Sequence, residues 1–374
     1  MKKVCVITAS RSEYGLLRWT IDGVHNNPKL ELQLVVTGAH LLEEQGYTCK
    51  NIEADGYPIA AKVDMQINAS NKEGIAKSMG YCSIGIAEAL AKLSPDMVVV
   101  LGDRYELLPI CGVALVMNIP IAHISGGDVT IGAIDNEVRN AITMMSTLHF
   151  PGVHESAENI IRMRNCKENV WTVGEPGLDN FRKSELMTRA ELAENIGIPI
   201  DNKWILVTLH PETQESLEYN QRMAENIIAL TDSLPDVSVV ISKSNLDFGG
   251  TQINEYWAEV ECGNSHKYHL FPSLGQKRYL SFMSECYAVI GNSSSGIVEA
   301  PCLGVNVINI GNRQTGRYLC KNVHQVENSL DAILQSWKEI ENTETKVIDN
   351  FYGDGCTSER IVKYIEDYLY GEQE

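Results

Sequence analysis

The chain has 374 residues, 44% hydrophobic and 21% charged, enough to bury two cores and long enough for two domains rather than one. Its 31 basic residues are outnumbered by 49 acidic ones, a formal charge of −18, which argues against a nucleic-acid or acidic-membrane partner, since either calls for a basic face. Ten cysteines with no C-x-x-C pair fit reduced thiols in a cytoplasmic protein, and no apolar run approaches membrane-spanning length.

The N-terminal run Met-Lys-Lys-Val-Cys-Val-Ile-Thr is too short for a signal peptide and stops at Arg11 and Glu13. It reads as a first strand, 3–9, followed by Ser10-Arg11-Ser12-Glu13-Tyr14-Gly15 and a helix to about His25. Arg11 thus falls at the carboxyl end of a strand, where open α/β sheets bind ligands. A second strand, 32–37, ends in Gly38-Ala39-His40, and 43–72 reads as polar and irregular before a helix over 73–93. The apolar run 95–101 is a buried strand that releases Gly102-Asp103-Arg104-Tyr105-Glu106, two acids and a base at the start of a helix. Strand 119–124 releases Ser125-Gly126-Gly127-Asp128, then Asp135 and Arg139 as the next helix begins. Strands at 148–153 and 170–173 complete the first sheet. Its strand ends therefore carry His40, Asp103, Arg104, Asp128 and Asp135, polar groups placed where a doubly wound sheet offers a site.

Gly174-Glu175-Pro176-Gly177 is the expected domain break. A helix over 185–196 leads to strand 204–209, which ends in His210-Pro211-Glu212-Thr213, and strands at 237–242, 268–271, 288–290 and 305–310 follow. The alternation repeats the first half without a sequence repeat. Cys262, His266 and His269 have no fourth ligand at a matching spacing and read as loop residues, not as a zinc site.

The stretch 288–318 organises the second half. A short buried strand turns through Gly291-Asn292-Ser293-Ser294-Ser295-Gly296 into a helix whose free N–H groups and serine hydroxyls suit an anion. Glu299 lies one turn in, where a carboxylate can accept from ribose hydroxyls, and Pro301 keeps the helix short. Arg313 and Arg317 come after the next strand, so the stretch reads as a nucleoside-diphosphate site, held by local cations against an acidic chain.

Taken together, these motifs, with Asn312-Arg313-Gln314-Thr315-Gly316-Arg317 and Tyr352-Gly353-Asp354-Gly355, resemble the UDP-N-acetylglucosamine 2-epimerases nearly end to end, in particular the hydrolysing branch. The resemblance implies two Rossmann-like doubly wound domains facing a cleft, a glycosyltransferase-B-like fold. They would be residues 1–175, rejoined by a C-terminal helix within 357–374, and 176–356, closing on UDP. It implies a UDP-sugar as partner, bound by Arg11, Gly15, Arg104, His210, Asn245, Phe271, Ser293, Ser294, Glu299 and Arg313, and catalysis by Asp103, Asp135, His40, Asp128 and His210. It calls for no cofactor and no metal, and for a homodimer or homotetramer.

The implied reaction converts UDP-N-acetylglucosamine and water to UDP and N-acetylmannosamine through a glycal. The alternatives are a UDP-2,4-diacetamido-2,4,6-trideoxyglucose 2-epimerase, a non-hydrolysing epimerase, a retaining glycosyltransferase, or a nucleotide-sugar-binding protein without catalysis. Three positions depart from the family pattern, Ser125, Asp128 and Asn140, and all belong to the half assigned to the sugar.

Overall fold

A computed structural model describes residues 1–43, 46–68, 71–129, 134–212, 215–244, 249–342 and 347–371. The chain divides into two compact units, Met1–Arg182 with Gly353–Glu374, and Lys183–Tyr352. The first unit runs β1 (Lys2–Thr8), α1 (Arg11–His25), β2 (Leu30–Thr37), a 3-10 turn (Gly38–Leu41), α2 (Cys49–Ala54), β3 (Ile59–Val63), α3 (Lys72–Leu93), β4 (Met97–Leu101), α4 (Leu107–Val116), β5 (Ile121–Ile124), α5 (Asp135–Met145), β6 (Leu148–Phe150), α6 (His154–Arg164), a second 3-10 turn (Pro176–Leu178) and α7 (Asp179–Lys183). All its strands are parallel, in the order β3-β2-β1-β4-β5-β6.

The second unit runs α8 (Arg189–Ile196), β7 (Lys203–Thr208), α9 (Leu217–Asp232), β8 (Val237–Ser242), α10 (Gly250–Gly263), β9 (Tyr268–Phe271), α11 (Gly275–Glu285), β10 (Ala288–Gly291), α12 (Ser294–Cys302), β11 (Asn306–Ile310), β12 (Val323–Val326) and α13 (Leu330–Glu341). Its parallel order, β12-β11-β10-β7-β8-β9, is the same topology read from the other edge. Both units are Rossmann-like.

Strands covered on both faces are apolar at every position. Along β4 all five residues are buried, and successive side chains feed opposite faces. Met97, Val99 and Leu101 join Val4, Val6 and Leu17 on one side, while Val98 and Val100 join Cys5, Ile7 and Ile86 on the other. The last helix, α14 (Thr357–Tyr370), belongs to the first unit and packs on α1 through Ile361, Val362 and Ile365. Gly23 permits the approach, because a Cβ there would lie 2.9 Å from Val362 Cγ2. Asp179 caps α14, accepting from the Thr357 and Ser358 amides at 2.8 Å each and from the Ser358 hydroxyl.

The structure corrects several expectations. The span 43–72 contains α2 and the edge strand β3, which pairs with β2. Residues 170–173 add no strand: Val170 makes a single bridge to His149, and Trp171 stacks on Tyr364 at 4.6 Å between ring centroids. The strand expected over 148–153 is only β6. The helix expected over 185–196 starts at Arg189, set by a capping box between Thr188 and Glu191. The unit boundary falls after Arg182 rather than at 174–177, because the turn Pro176–Leu178 packs on α1 and Asp179 holds α14.

Three histidines of this unit are buried and neutral. Burial pulls His40 and His123 down to about 4, and burial with the nearby Arg164 charge pulls His149 to about 3. The unfolded chain takes up these protons near the ordinary value of 6.5, the folded chain only near 4 or 3. Their contribution to stability is therefore complete above pH 6.5 and lost as pH falls through that window. His149→Leu should make the melting temperature fall less steeply between pH 6.5 and 4, measured by circular dichroism. An unchanged slope would show that acid sensitivity arises elsewhere.

Candidate functional site

In each sheet the chain order reverses between two central strands, and the crevice beyond their carboxyl ends is where such sheets take ligands. In the second unit those strands are β7 and β10. Gly291 closes β10 at φ 143°, where a Cβ would collide with the Thr208 carbonyl of β7, so the two strand ends meet backbone to backbone.

Asn292 then ties them together. Its Oδ1 accepts from the His210 amide and its Nδ2 donates to the His210 carbonyl, both at 2.8 Å, and the residue is 1% exposed. Its own carbonyl accepts from Arg313 Nη1 at 3.2 Å and Gln314 Nε2 at 2.9 Å. Glu212 fixes the same loop, its Oε1 accepting from the Asn312 amide at 2.7 Å and the Arg313 amide at 3.2 Å. Burial raises the Glu212 pKa, and those two N–H groups oppose the rise.

Helix α12 starts in the serine run, at Ser294, with Ser293 as N-cap. Ser294 is exposed at this N-terminus. Glu299 keeps part of its surface open, yet burial of its carboxyl pushes it up to about 7, with the Arg317 charge pulling the other way. Pro301 lies in the last turn, where it has no N–H to give to the carbonyl four residues back, and α12 ends one residue later, at Cys302. Phe271 ends β9 half-buried, with the Arg278 guanidinium 5.6 Å from its ring centroid. Asn245 and Thr213 lie outside the described residues.

In the first unit the reversal lies between β1 and β4. Arg11 opens α1 in an exposed position, with Gly15 one turn on. Asp103 is not the N-cap of α4; that position is Glu106, which makes no side-chain cap bond. Asp103 instead pairs with the buried Arg139 of α5. Arg139 also donates to the Asp128 carbonyl at 2.8 Å, and Ser156 donates to Asp128 Oδ1 at 2.5 Å. Burial raises the Asp103 pKa, Arg139 opposes this, and Asp135 and Asp128 add to the rise. The buried guanidinium thus holds one carboxylate, Asp103, and one backbone carbonyl, Asp128, while the Asp128 and Asp135 charges act on Asp103. Ser125, just after β5, has left-handed backbone, φ 58°.

His40 is placed differently from an exposed acid or base. It is fully buried, with Nε2 3.1 Å from Thr8 Oγ1 and Nδ1 2.8 Å from Thr48 Oγ1. Arg104 is gripped by Glu106, whose Oε1 accepts from Nε at 3.2 Å and Nη2 at 2.6 Å. Glu13 lies under this pair. Burial pushes it up to about 7, against the Ala9 amide that donates to it at 2.6 Å and the nearby Arg104 charge. Sequence reasoning did not single out Glu13, Glu106, Glu212, Tyr279 or Ser156. The three glutamates of the quoted strand-end motifs, Glu13, Glu106 and Glu212, were visible there as residue types, whereas Tyr279 and Ser156 carry no local signal. Among the described residues no group of three or more His, Cys, Asp or Glu is arranged to hold a metal ion. No helix among them is long and apolar enough to cross a membrane.

The chain is similar to known proteins along nearly its whole length. A Campylobacter jejuni GDP/UDP-N,N'-diacetylbacillosamine 2-epimerase (hydrolyzing) is 34% identical over 92% of this chain and 89% of its own length. A Legionella pneumophila UDP-N,N'-diacetylbacillosamine 2-epimerase (hydrolyzing) is 31% identical over 98% of this chain and 96% of its own. The crystal structure of a Neisseria meningitidis UDP-GlcNAc 2-epimerase bound to UDP-GlcNAc shares the fold at a TM-score of 0.78 and 18% identity, over 98% of this chain and 100% of that one. The family described as UDP-N-acetylglucosamine 2-epimerase matches residues 22–366, and the chain belongs to that family.

Proposed function

We propose that the protein is a hydrolysing 2-epimerase of a UDP-linked 2-acetamido sugar. The observation that carries this reading is the pairing of two chemistries at the two strand-order reversals. One unit offers Asp103, paired with Arg139 and within reach of the Asp128 and Asp135 charges, the other serine hydroxyls, a helix N-terminus and Arg313. In the reaction a carboxylate removes the C2 proton as the C1–O bond to UDP breaks, giving a glycal. Water then adds its hydroxyl at C1 while a proton returns to C2 on the other face. The sum is UDP-sugar plus water to UDP plus the 2-epimeric free sugar. Asp103, Asp128 and Asp135 are the candidates for the proton transfers. His210, Ser293, Ser294 and Arg313 would hold the departing diphosphate, with Glu299 on the ribose and Phe271 and Asn245 at the nucleoside end. Arg11, Gly15 and Arg104 are assigned supporting contacts to UDP, and His40 the support of Thr8 from behind.

The names of the Campylobacter and Legionella relatives favour the 2,4-diacetamido-2,4,6-trideoxy sugar as substrate. UDP-N-acetylglucosamine is the second reading, favoured by the Neisseria meningitidis UDP-N-acetylglucosamine 2-epimerase, 30% identical over 90% of this chain. Offering both UDP-sugars without an acceptor and following UDP and free sugar by chromatography tests the proposal. Stoichiometric UDP and 2-epimeric sugar are expected, faster from the diacetamido substrate. Faster turnover of UDP-N-acetylglucosamine would select the second reading, and no UDP from either would contradict both. Asp103→Asn should lower turnover about 10²–10⁴-fold while UDP still binds.

We also propose self-association into a homodimer. Helices α3, α4 and α5 are neighbours, and they expose Tyr81, Ile84, Leu115, Val116 and Met144. A groove of about 320 Å³ between α3 and α4 is lined by Ser83, Ala87, Pro109, Gly112, Val113 and Val116. An apolar face of this kind suits an isologous contact. Light scattering should give twice the chain mass, and Val116→Glu should halve it; a monomeric wild type would rule the contact out.

A further inference from the structure

Tyr279 belongs to none of the motifs that mark the site, yet it connects two of them. It sits on α11, and its phenol oxygen lies 3.3 Å from Thr208 Oγ1 at the end of β7. The same oxygen lies 2.5 Å from Ser295 Oγ in the first turn of α12. Ser295 in turn donates to Ser293 Oγ, through its hydroxyl at 3.1 Å and its amide at 3.4 Å. Four hydroxyls therefore form one chain, from the end of β7 to the N-cap of α12.

Each hydroxyl has one proton to give, so the chain has a direction. Ser293 Oγ accepts twice from Ser295, which leaves its own proton to point elsewhere. Ser295, having donated to Ser293, must accept from Tyr279. Tyr279, having donated to Ser295, must accept from Thr208. The order that satisfies every contact is Thr208 to Tyr279 to Ser295 to Ser293 and outward. Burial raises the Tyr279 pKa, so the phenol keeps its proton at neutral pH.

We propose that Tyr279 is a positioning residue of the diphosphate site, orienting the Ser293 hydroxyl as a donor toward a phosphate oxygen through Ser295. The inference rests on the reading of the second unit as the UDP site. It assigns Tyr279 no contact with the nucleotide and no part in breaking the bond. Its effect is confined to phosphate-bearing ligands: a chain of hydroxyls polarised in one direction strengthens the terminal donor, and cutting it in the middle frees Ser293 to rotate.

The test is calorimetry of the full chain with three probes, UDP, inorganic pyrophosphate and uridine, in wild type, Tyr279→Phe and Ser295→Ala. UDP and pyrophosphate should bind about three- to tenfold more weakly to each variant, the loss of one neutral hydrogen bond. Uridine affinity should not change. The double variant should be no weaker than the poorer single, since both cut the same chain. Matching near-ultraviolet circular dichroism and melting temperatures confirm that the variants fold; should Tyr279→Phe fail to fold, Ser295→Ala carries the comparison alone. UDP affinity unchanged in the folded variants would overturn this inference and leave the UDP site standing. Equal losses for UDP and uridine would overturn it too, showing a packing effect. A wild type that binds neither UDP nor pyrophosphate would remove the functional reading and this inference together.

Discussion

The second unit depends on one buried amide. Asn292 satisfies both backbone groups of His210 with its side chain and accepts from two side chains of the 312–317 loop with its carbonyl. A buried hydrogen bond contributes about 1 kcal/mol when made, but leaving its partner unsatisfied costs about 1–3 kcal/mol. The asymmetry makes this arrangement specific: any other register between the end of β7 and the end of β10 strands two backbone groups of His210. The same bonds set where the imidazole, the serine run and Arg313 start from, so structural economy and ligand geometry share one residue.

The first unit meets a different constraint, carboxyl groups crowded in an acidic chain. It manages them by pairing and by protonation. Arg139 faces Asp103 and the backbone of Asp128, Arg104 faces Glu106, and Glu13 is pushed up to about 7, where half of it is neutral at that pH. Burial raises the Asp103 pKa as well, against the pull of the Arg139 charge. The three buried histidines take the opposite course and stay neutral, which removes further cations from a unit already short of them.

Much of this was legible in the sequence, for a physical reason. Central parallel strands are covered on both faces, so they read as unbroken apolar runs, and the polar residues that follow them stand out as strand ends. Asp103, His210 and Ser293 were found this way. Two of the edge strands give no such signal: β3, Ile-Ala-Ala-Lys-Val, is only half covered, and β12, Val-His-Gln-Val, hardly differs from a loop. The apolar run 170–173 misled in the other direction, because its tryptophan serves a stack between Phe150 and Tyr364 rather than a sheet. The helix over 185–196 was placed too early, although Thr188 and Glu191 carried the capping signal. Residues that hold others in place were not readable at all. Asn292 acts on a residue 82 positions away, and Tyr279 becomes meaningful only once α11 lies beside α12.

In the proposed reaction an acid of the first unit exchanges the C2 proton while the sugar leaves UDP. Running the reaction to completion in deuterium oxide and reading the free sugar by proton magnetic resonance tests it most directly. One deuterium is expected at C2 of every 2-epimeric product molecule. A free sugar that keeps its original hydrogen and configuration at C2 would show simple hydrolysis of the C1–O bond and contradict the account.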